Sequence, residues 1–207
     1  LLLTDQCAKN IPDLEIMNMP YKEFRNDAVK IIDNIEKGSR RINAFLSNLG
    51  EFSVNYQRRF KKSNLKTIVD KALSIVGRKV KNAVKSIQIK VAEDLPRIKT
   101  DPYALEQVLI NLLINAAQAA DKKDSWIKIT VETLENDKRS IRIVVEDNGS
   151  GMDEDILDKI FNPFFSSRLS NGGSGFGLYI SKNIVEGLGG TISVSSRSGR
   201  GSVFTIT

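Results

Sequence analysis

From Phe24 onward the apolar positions recur in alternating steps of four and three: Phe24, Ala28, Ile31, Ile35, Gly38, Ile42, Phe45, Leu49, Phe52 and Tyr56, widened by Ile32 and Leu46. A heptad repeat of this kind keeps one stripe of a helix against a partner, as in a coiled coil or a four-helix bundle. It predicts a helix over about 21–58. Gly38 on the stripe weakens that helix locally and allows a kink or a close approach. A lone seam helix has nothing to bury its stripe against, so the pattern predicts partners: a helix preceding Leu1 and a second copy of the chain. Leu1-Leu2-Leu3 reads as the tail of that earlier helix, and Ala8 to Pro20, which contains two prolines, reads as a connecting loop.

Beyond the seam the periodicity changes. Gln57 to Asn64 is basic and polar, which predicts a solvated linker and a domain boundary. Lys66 to Val80 has helical spacing, with Leu65, Ile68, Val69, Ala72, Leu73 and Val76 on one side. Ser86 to Val91 alternates as a strand, and Arg97 to Thr100 predicts a shorter one. Asp101 then suits an N-cap and Pro102 a first helical turn. Leu105, Val108, Leu109, Leu112, Leu113 and Ala116 continue that helix as a single apolar stripe to Ala120. Trp126–Leu134 and Ser140–Asp147 alternate across a polar turn, which predicts a hairpin. Asp153–Phe161 predicts a short helix and Phe176–Leu188 a longer one. Thr191–Ser196 and Ser202–Thr207 form a second hairpin across Gly199-Arg200-Gly201. The alternation buries one sheet face under three helices. The fold class is therefore α+β, a two-layer α/β sandwich preceded by a segment of helical hairpin or four-helix bundle.

Composition narrows this only slightly. The 207 residues are 41% hydrophobic and 27% charged, which is globular and large enough for one domain plus a smaller piece. The net charge of +6 raises nucleic acid as a partner. Yet Lys and Arg are spread among 25 acids, and the densest basic run is Arg58-Arg59-Phe60-Lys61-Lys62, so no direct nucleic-acid contact is expected. A single cysteine, Cys7, excludes an internal disulfide framework and fits a reducing, cytoplasmic compartment. No apolar run reaches membrane-spanning length. The chain begins at Leu1 without a Met and reads as a fragment, so a membrane could be reached only through a missing region of the parent.

Candidate chemistry lies between Asn111 and Leu178. Asn111 and Asn115 are four apart and share a face of an otherwise apolar helix, where asparagine is disfavoured. They are either a solvated or internally bonded face, or amide oxygens placed for Mg²⁺ that also takes ligands from substrate phosphates. The strand Ile141–Val145 runs into Asp147-Asn148-Gly149-Ser150-Gly151-Met152. A carboxylate there could accept from an adenine amine, although Asp-Asn-Gly alone also fits a plain turn. Gly172-Gly173-Ser174-Gly175-Phe176-Gly177-Leu178 opens directly into a helix, a layout that turns backbone N–H groups toward phosphate.

Together these stretches resemble the sensor histidine kinases of two-component systems. Asn111-Leu-Leu-Ile-Asn115-Ala is similar to their N box, Asp147-Asn-Gly-Ser-Gly-Met to the first glycine box, Asn162-Pro-Phe-Phe-Ser-Ser-Arg168 to the F box, and Gly173-Ser-Gly-Phe-Gly-Leu178 to the second glycine box. Gly199-Arg-Gly-Ser-Val-Phe204 matches the closing strand, and all five stand in the family order. The resemblance covers 61–207 closely and 21–60 more loosely. It implies a Bergerat-type ATP-binding catalytic domain over 61–207. It also implies that 1–60 is the remnant of a dimerisation and phosphoacceptor hairpin, which forms a homodimer through its bundle.

The resemblance also implies roles. Asp147 would bond the adenine amino group, with Gly149 and Gly151 letting the backbone pass close to the base, Met152 on the ring or in the core, and Ser202 where relatives carry a Thr near adenine. Asn115 would ligate Mg²⁺ and Asn111 would contact phosphate or metal-bound water. Gln118 stands where many relatives have Lys, which shifts phosphate neutralisation toward Arg168, itself in place of a more frequent Lys. Ser174, Gly175, Phe176, Gly177 and Leu178 would present amides to the phosphates, and Phe164 and Phe165 either dock the lid or simply pack. ATP hydrolases of the wider superfamily carry a Glu where this chain has Asn111, and Glu106 is rotated off that face, so a base for activating water is lacking. With no histidine in the chain, the phosphoacceptor must lie outside it. The implied activity is transfer of the ATP γ-phosphoryl to such a histidine and on to a response-regulator receiver domain. The alternatives are a catalytically degenerate, nucleotide-gated dimer scaffold and an ATP-driven clamp.

Overall fold

The chain forms two compact units, Leu1–Tyr56 and Gln57–Thr207, and in the second of them burial follows the predicted stripes. The computed structural model describes residues 14–52, 59–134, 137–166 and 175–207. None of the helices among these residues is long and apolar enough to cross a membrane.

In the first unit, β1 (Glu15–Ile16) and β2 (Met19–Pro20) pair antiparallel. The end of the expected loop is therefore a small hairpin. Its turn residues Met17 and Asn18 both have positive φ, 56° and 60°, as a two-residue turn between twisted strands demands. The turn carries Met-Asn in place of the usual Asn-Gly; Asn18 tolerates the left-handed region, but Met17 gives no turn signal. Tyr21 N–H donates to Leu14 O at 2.8 Å and starts α1 (Tyr21–Phe52), which runs unbroken through Gly38. On its seam Phe24 and Ala28 are half-buried, while Ile31 and Ile35, with Ile32 beside them, are 59, 65 and 54% exposed. The seam side chains from Ile42 to Phe52, and Tyr56, lie outside the described residues.

The second unit corrects the linker reading. Lys61–Ser63 is a strand, β3, and it pairs antiparallel with β5 (Ile98–Thr100), which follows β4 (Ser86–Val91). Three polar residues carry no alternation signal; the pairing partner makes the strand. Asn64 next accepts from Lys66 N–H at 2.9 Å and Thr67 N–H at 3.4 Å, capping α2 (Leu65–Ala83). Asp101 caps α3 (Pro102–Ala119) through Tyr103 and Ala104 N–H. The first long hairpin is β6 (Trp126–Leu134) and β7 (Asp137–Asp147), with β7 beginning three residues earlier than its apolar pattern. The short helix α4 (Glu154–Leu157) stops well before Phe161, and the remainder is turns. α5 (Gly177–Gly187), β8 (Ile192–Arg197) and β9 (Gly201–Ile206) complete the fold.

The main sheet has the order β4-β6-β7-β9-β8. Only β4 and β6 are parallel, because the chain between them crosses over through α3. Ile129, Val145 and Phe204 stand opposite one another across the three central strands, and all are buried. α3 packs against β6, β7 and β9, with α2 and α5 on either side of it. The other sheet face carries Lys128 paired with Glu146 at 3.5 Å and Arg142 paired with Glu132. This is the two-layer sandwich, and its middle helix is the one that bears the asparagines.

The start of α3 rests on one fully buried carboxylate. Asp101 Oδ1 caps the helix while Oδ2 accepts from Arg59 N–H at 2.9 Å. Asp101→Ala removes a cap and strands backbone donors, so we expect it to lower stability by about 2–3 kcal/mol. The check is a urea midpoint that falls with an unchanged slope.

Candidate functional site

At the end of β7 the backbone is crowded. Asp147 is 6% exposed, and its Oδ1 accepts from Gly149 N–H at 2.9 Å. Its cross-strand neighbours are Ile127 on β6 and Ser202 on β9. Asn148 turns the other way: its Oδ1 accepts from Trp126 N–H at 2.7 Å and its Nδ2 donates to Asp124 O at 3.3 Å, which fastens β7 to the start of β6. A Cβ on Gly149 would stand 2.3 Å from Ala119 O, and Ser150 N–H donates to that same oxygen at 2.9 Å. Ala119 is the last residue of α3, so a carbonyl without an intrahelical partner is satisfied by the glycine loop.

The β8–β9 turn closes the other side. A Cβ on Gly151 would stand 2.0 Å from Arg197 O, and one on Gly201, at φ 97°, would stand 1.9 Å from Asp147 O. Gly199 N–H donates to Ser150 O at 2.6 Å. Ser196 Oγ accepts from Met152 N–H at 2.9 Å, donates to Gly201 O at 2.7 Å and lies 3.1 Å from Ser202 Oγ. Ser202 is buried and Met152 half-buried.

Along α3 the amides diverge in use. Asn111 Nδ2 donates to Gly177 O at 3.3 Å and to Ser181 Oγ at 3.4 Å, and Ser181, fully buried, donates to Gly177 O at 2.9 Å. Asn111 therefore grips the first turn of α5. Asn115 is half-buried and its side chain makes no hydrogen bond among the described residues; Gln118 is exposed. Asn115 lies four residues, about 6 Å of helix rise, from Asn111 on one side and from Ala119 on the other. One helix face thus meets the start of α5 at Asn111, the loop after Asp147 at Ala119, and carries an uncommitted amide between them.

The start of α5 is held from outside by the F box. Phe176 is 2% exposed and meets the Phe164 ring edge-on, with centroids 4.6 Å apart and planes at 68°. Phe164 has φ 67°, and a Cβ on Gly175 would stand 2.7 Å from its carbonyl carbon, so the two boxes touch through backbone. Phe165, Gly177 and Leu178 are half-buried. The first N–H groups of a helix have no intrahelical acceptor, which leaves those of α5 available to an anion. Arg168 and Ser174 lie outside the described residues. Among the described residues there is no cluster of three or more His, Cys, Asp or Glu that could hold a metal ion. The Asn115 amide oxygen is a hard donor of the kind Mg²⁺ takes, and it would need phosphate oxygens and water to complete an octahedron.

Residues 100–207, just over half of the chain, match the family described as histidine kinase-, DNA gyrase B-, and HSP90-like ATPase. The chain belongs to this ATPase family. That membership implies ATP binding by this domain. It is 35% identical over 170 residues to the sensor histidine kinase ZraS of Salmonella typhi, a match that covers 82% of this chain and 36% of ZraS. The chain thus spans about a third of the length of that relative. The nucleotide-free catalytic domain of the histidine kinase ThkA is 31% identical, with a TM-score of 0.60 over 72% of this chain and 93% of that one. The same kinase in complex with the response regulator protein TrrA gives 22% identity and a TM-score of 0.63, covering 99% of this chain and 55% of that one, a likeness of fold.

Four residues of this candidate site hold positions that no motif signals: Lys122, Asn148 as a fastener, Ser181 and Ser196. Each acts on a partner distant in sequence.

The crowding at β7 is testable with paired glycines. Gly201 and Gly189 both have positive φ, 97° and 86°, but only at Gly201 would a Cβ meet backbone; around Gly189 there is nothing within 4 Å. Gly189→Ala should cost about 1 kcal/mol of backbone strain. Gly201→Ala should cost at least about 2 kcal/mol more and weaken ATP binding, because the Asp147 end must move. Chemical denaturation and equilibrium nucleotide binding on both variants provide the check.

Proposed function

We propose that the chain is the ATP-binding catalytic portion of a sensor histidine kinase, which transfers the γ-phosphoryl of Mg-ATP to a histidine outside this chain and thence to an aspartate of a response-regulator receiver domain. The observation that carries this reading is the state of the asparagine face. The position one turn before Asn115 holds an amide, and that amide is engaged with Gly177 and Ser181. A carboxylate general base for water is absent at that position, so the site suits transfer to a nucleophile brought from elsewhere. The five motif stretches, in family order, support the same reading.

In this reading Asp147 accepts from the adenine amine, with Ser202 beside it and Met152 against the ring. Gly149 and Gly151 let the loop approach the base. Amides of residues 174–178 receive the phosphates, and Arg168 and Gln118 supply further donors. Asn115 is the Mg²⁺ ligand; the ion, when bound, spreads the charge of the departing phosphoryl group. Asn111 keeps the α5 turn at a fixed distance from Asn115. Residues 1–60 are the remnant of the dimerisation hairpin, and the solvent-facing Ile31, Ile32 and Ile35 support a homodimer through α1.

The test is a version of the chain extended upstream to include a histidine, given Mg²⁺ and γ-labelled ATP. Acid-labile label on that histidine supports the kinase. Nucleotide binding without label supports a degenerate scaffold, and steady phosphate release without protein label supports a clamp ATPase. In the extended chain, Asn115→Ala should lower the labelling rate by about 100-fold, the usual scale for removing one charge-stabilising group.

A further inference from the structure

Lys122 sits just beyond α3, in the link to β6. Its root is fixed: its N–H donates to Ser125 Oγ at 3.1 Å, Ser125 N–H donates back to Lys122 O at 3.2 Å, and Ser125 is 1% exposed. Its ammonium donates to Asn148 O at 2.7 Å and to Gly199 O at 2.9 Å. The first carbonyl belongs to the loop after Asp147, the second to the β8–β9 turn. An ammonium has three donors on a flexible stem, and charge-assisted bonds are roughly twice as strong as neutral ones. One cation therefore joins the two loops that wall the Asp147 side of the site.

The rest of that wall depends on the same alignment. Gly199 N–H reaches Ser150 O, and Ser196 Oγ receives Met152 N–H, only while the two loops keep their spacing. The spacing also sets where Gly149 and Gly151 stand relative to Asp147.

We propose that Lys122 is a positioning residue for the adenine-side wall: by bridging Asn148 O and Gly199 O it sets affinity for the nucleoside end of ATP, without touching the phosphates. This rests on the reading of the site given above. Because Lys122 is exposed, its replacement leaves the core intact.

The experiment compares the unsubstituted chain with Lys122→Met, which keeps the stem and loses the donors, and Lys122→Arg, which keeps a cationic donor. Dissociation constants are measured for ATP, ADP and AMP with Mg²⁺, together with amide hydrogen exchange at Ser150, Met152 and Gly199. The expected result for Lys122→Met is weakening by about tenfold, equal for all three nucleotides, equivalent to about 1.4 kcal/mol. Exchange at the three amides should rise by a similar factor, and Lys122→Arg should recover most of both. Unchanged affinity and exchange in Lys122→Met would overturn the proposal. So would a loss that grows from AMP to ADP to ATP, which marks a direct phosphate contact. If the unsubstituted chain binds no nucleotide, the functional reading and the affinity role fall together. If it binds and Lys122→Met binds equally well, only the role of Lys122 falls.

Discussion

Asp147 ends its strand where three other stretches of backbone come into contact with it and with the loop that follows. Ala119 O closes on Gly149, Arg197 O on Gly151, and the Asp147 carbonyl itself on Gly201. At these distances a methyl group cannot be accommodated without moving backbone, so glycine is required by space at all three positions, and by torsion as well at Gly151 and Gly201, where φ is 64° and 97°. The constraint has a consequence for chemistry. It brings the carboxylate, the last turn of α3 and the β8–β9 turn to one place, and it does so through main chain, which holds position better than long side chains do.

α3 extends that constraint to the second half of the site. Its buried stripe, from Leu105 to Ala117, packs on the sheet, and this settles its rotation. The remaining face then presents Asn111, Asn115 and Ala119 at one-turn intervals. The outer two are occupied by protein, one by the first turn of α5 and the other by the loop after Asp147. The middle amide makes no hydrogen bond among the described residues. A helix that is rigid because its other side is core serves as a ruler between the two glycine stretches.

Much of this was legible in advance because it rests on local chemistry. The α3 stripe, its Asp101-Pro102 start, the alternation of β6 and β7, and the glycine stretches each declare themselves within a dozen residues. What escaped was set by partners far away in the chain. Lys61–Ser63 is a strand because β5 lies beside it. In the Met17-Asn18 turn only the asparagine is a usual turn residue. Asn111 was legible as unusual, but its contact with Gly177 and Ser181 depends on how α5 docks. Ser196 and Lys122 are ordinary residues by composition, and only the folded arrangement of loops gives them partners.

In the proposed function, α3, the end of β7 and the start of α5 are walls of one site around one magnesium nucleotide. The direct measurement is a residue-resolved amide NMR titration of the chain with Mg²⁺ and a nonhydrolysable ATP analogue. Gly149, Gly151, the Asn115 side-chain amide and Gly177 should respond together with a single dissociation constant. Responses confined to one of the three walls, or following different dissociation constants, would contradict it.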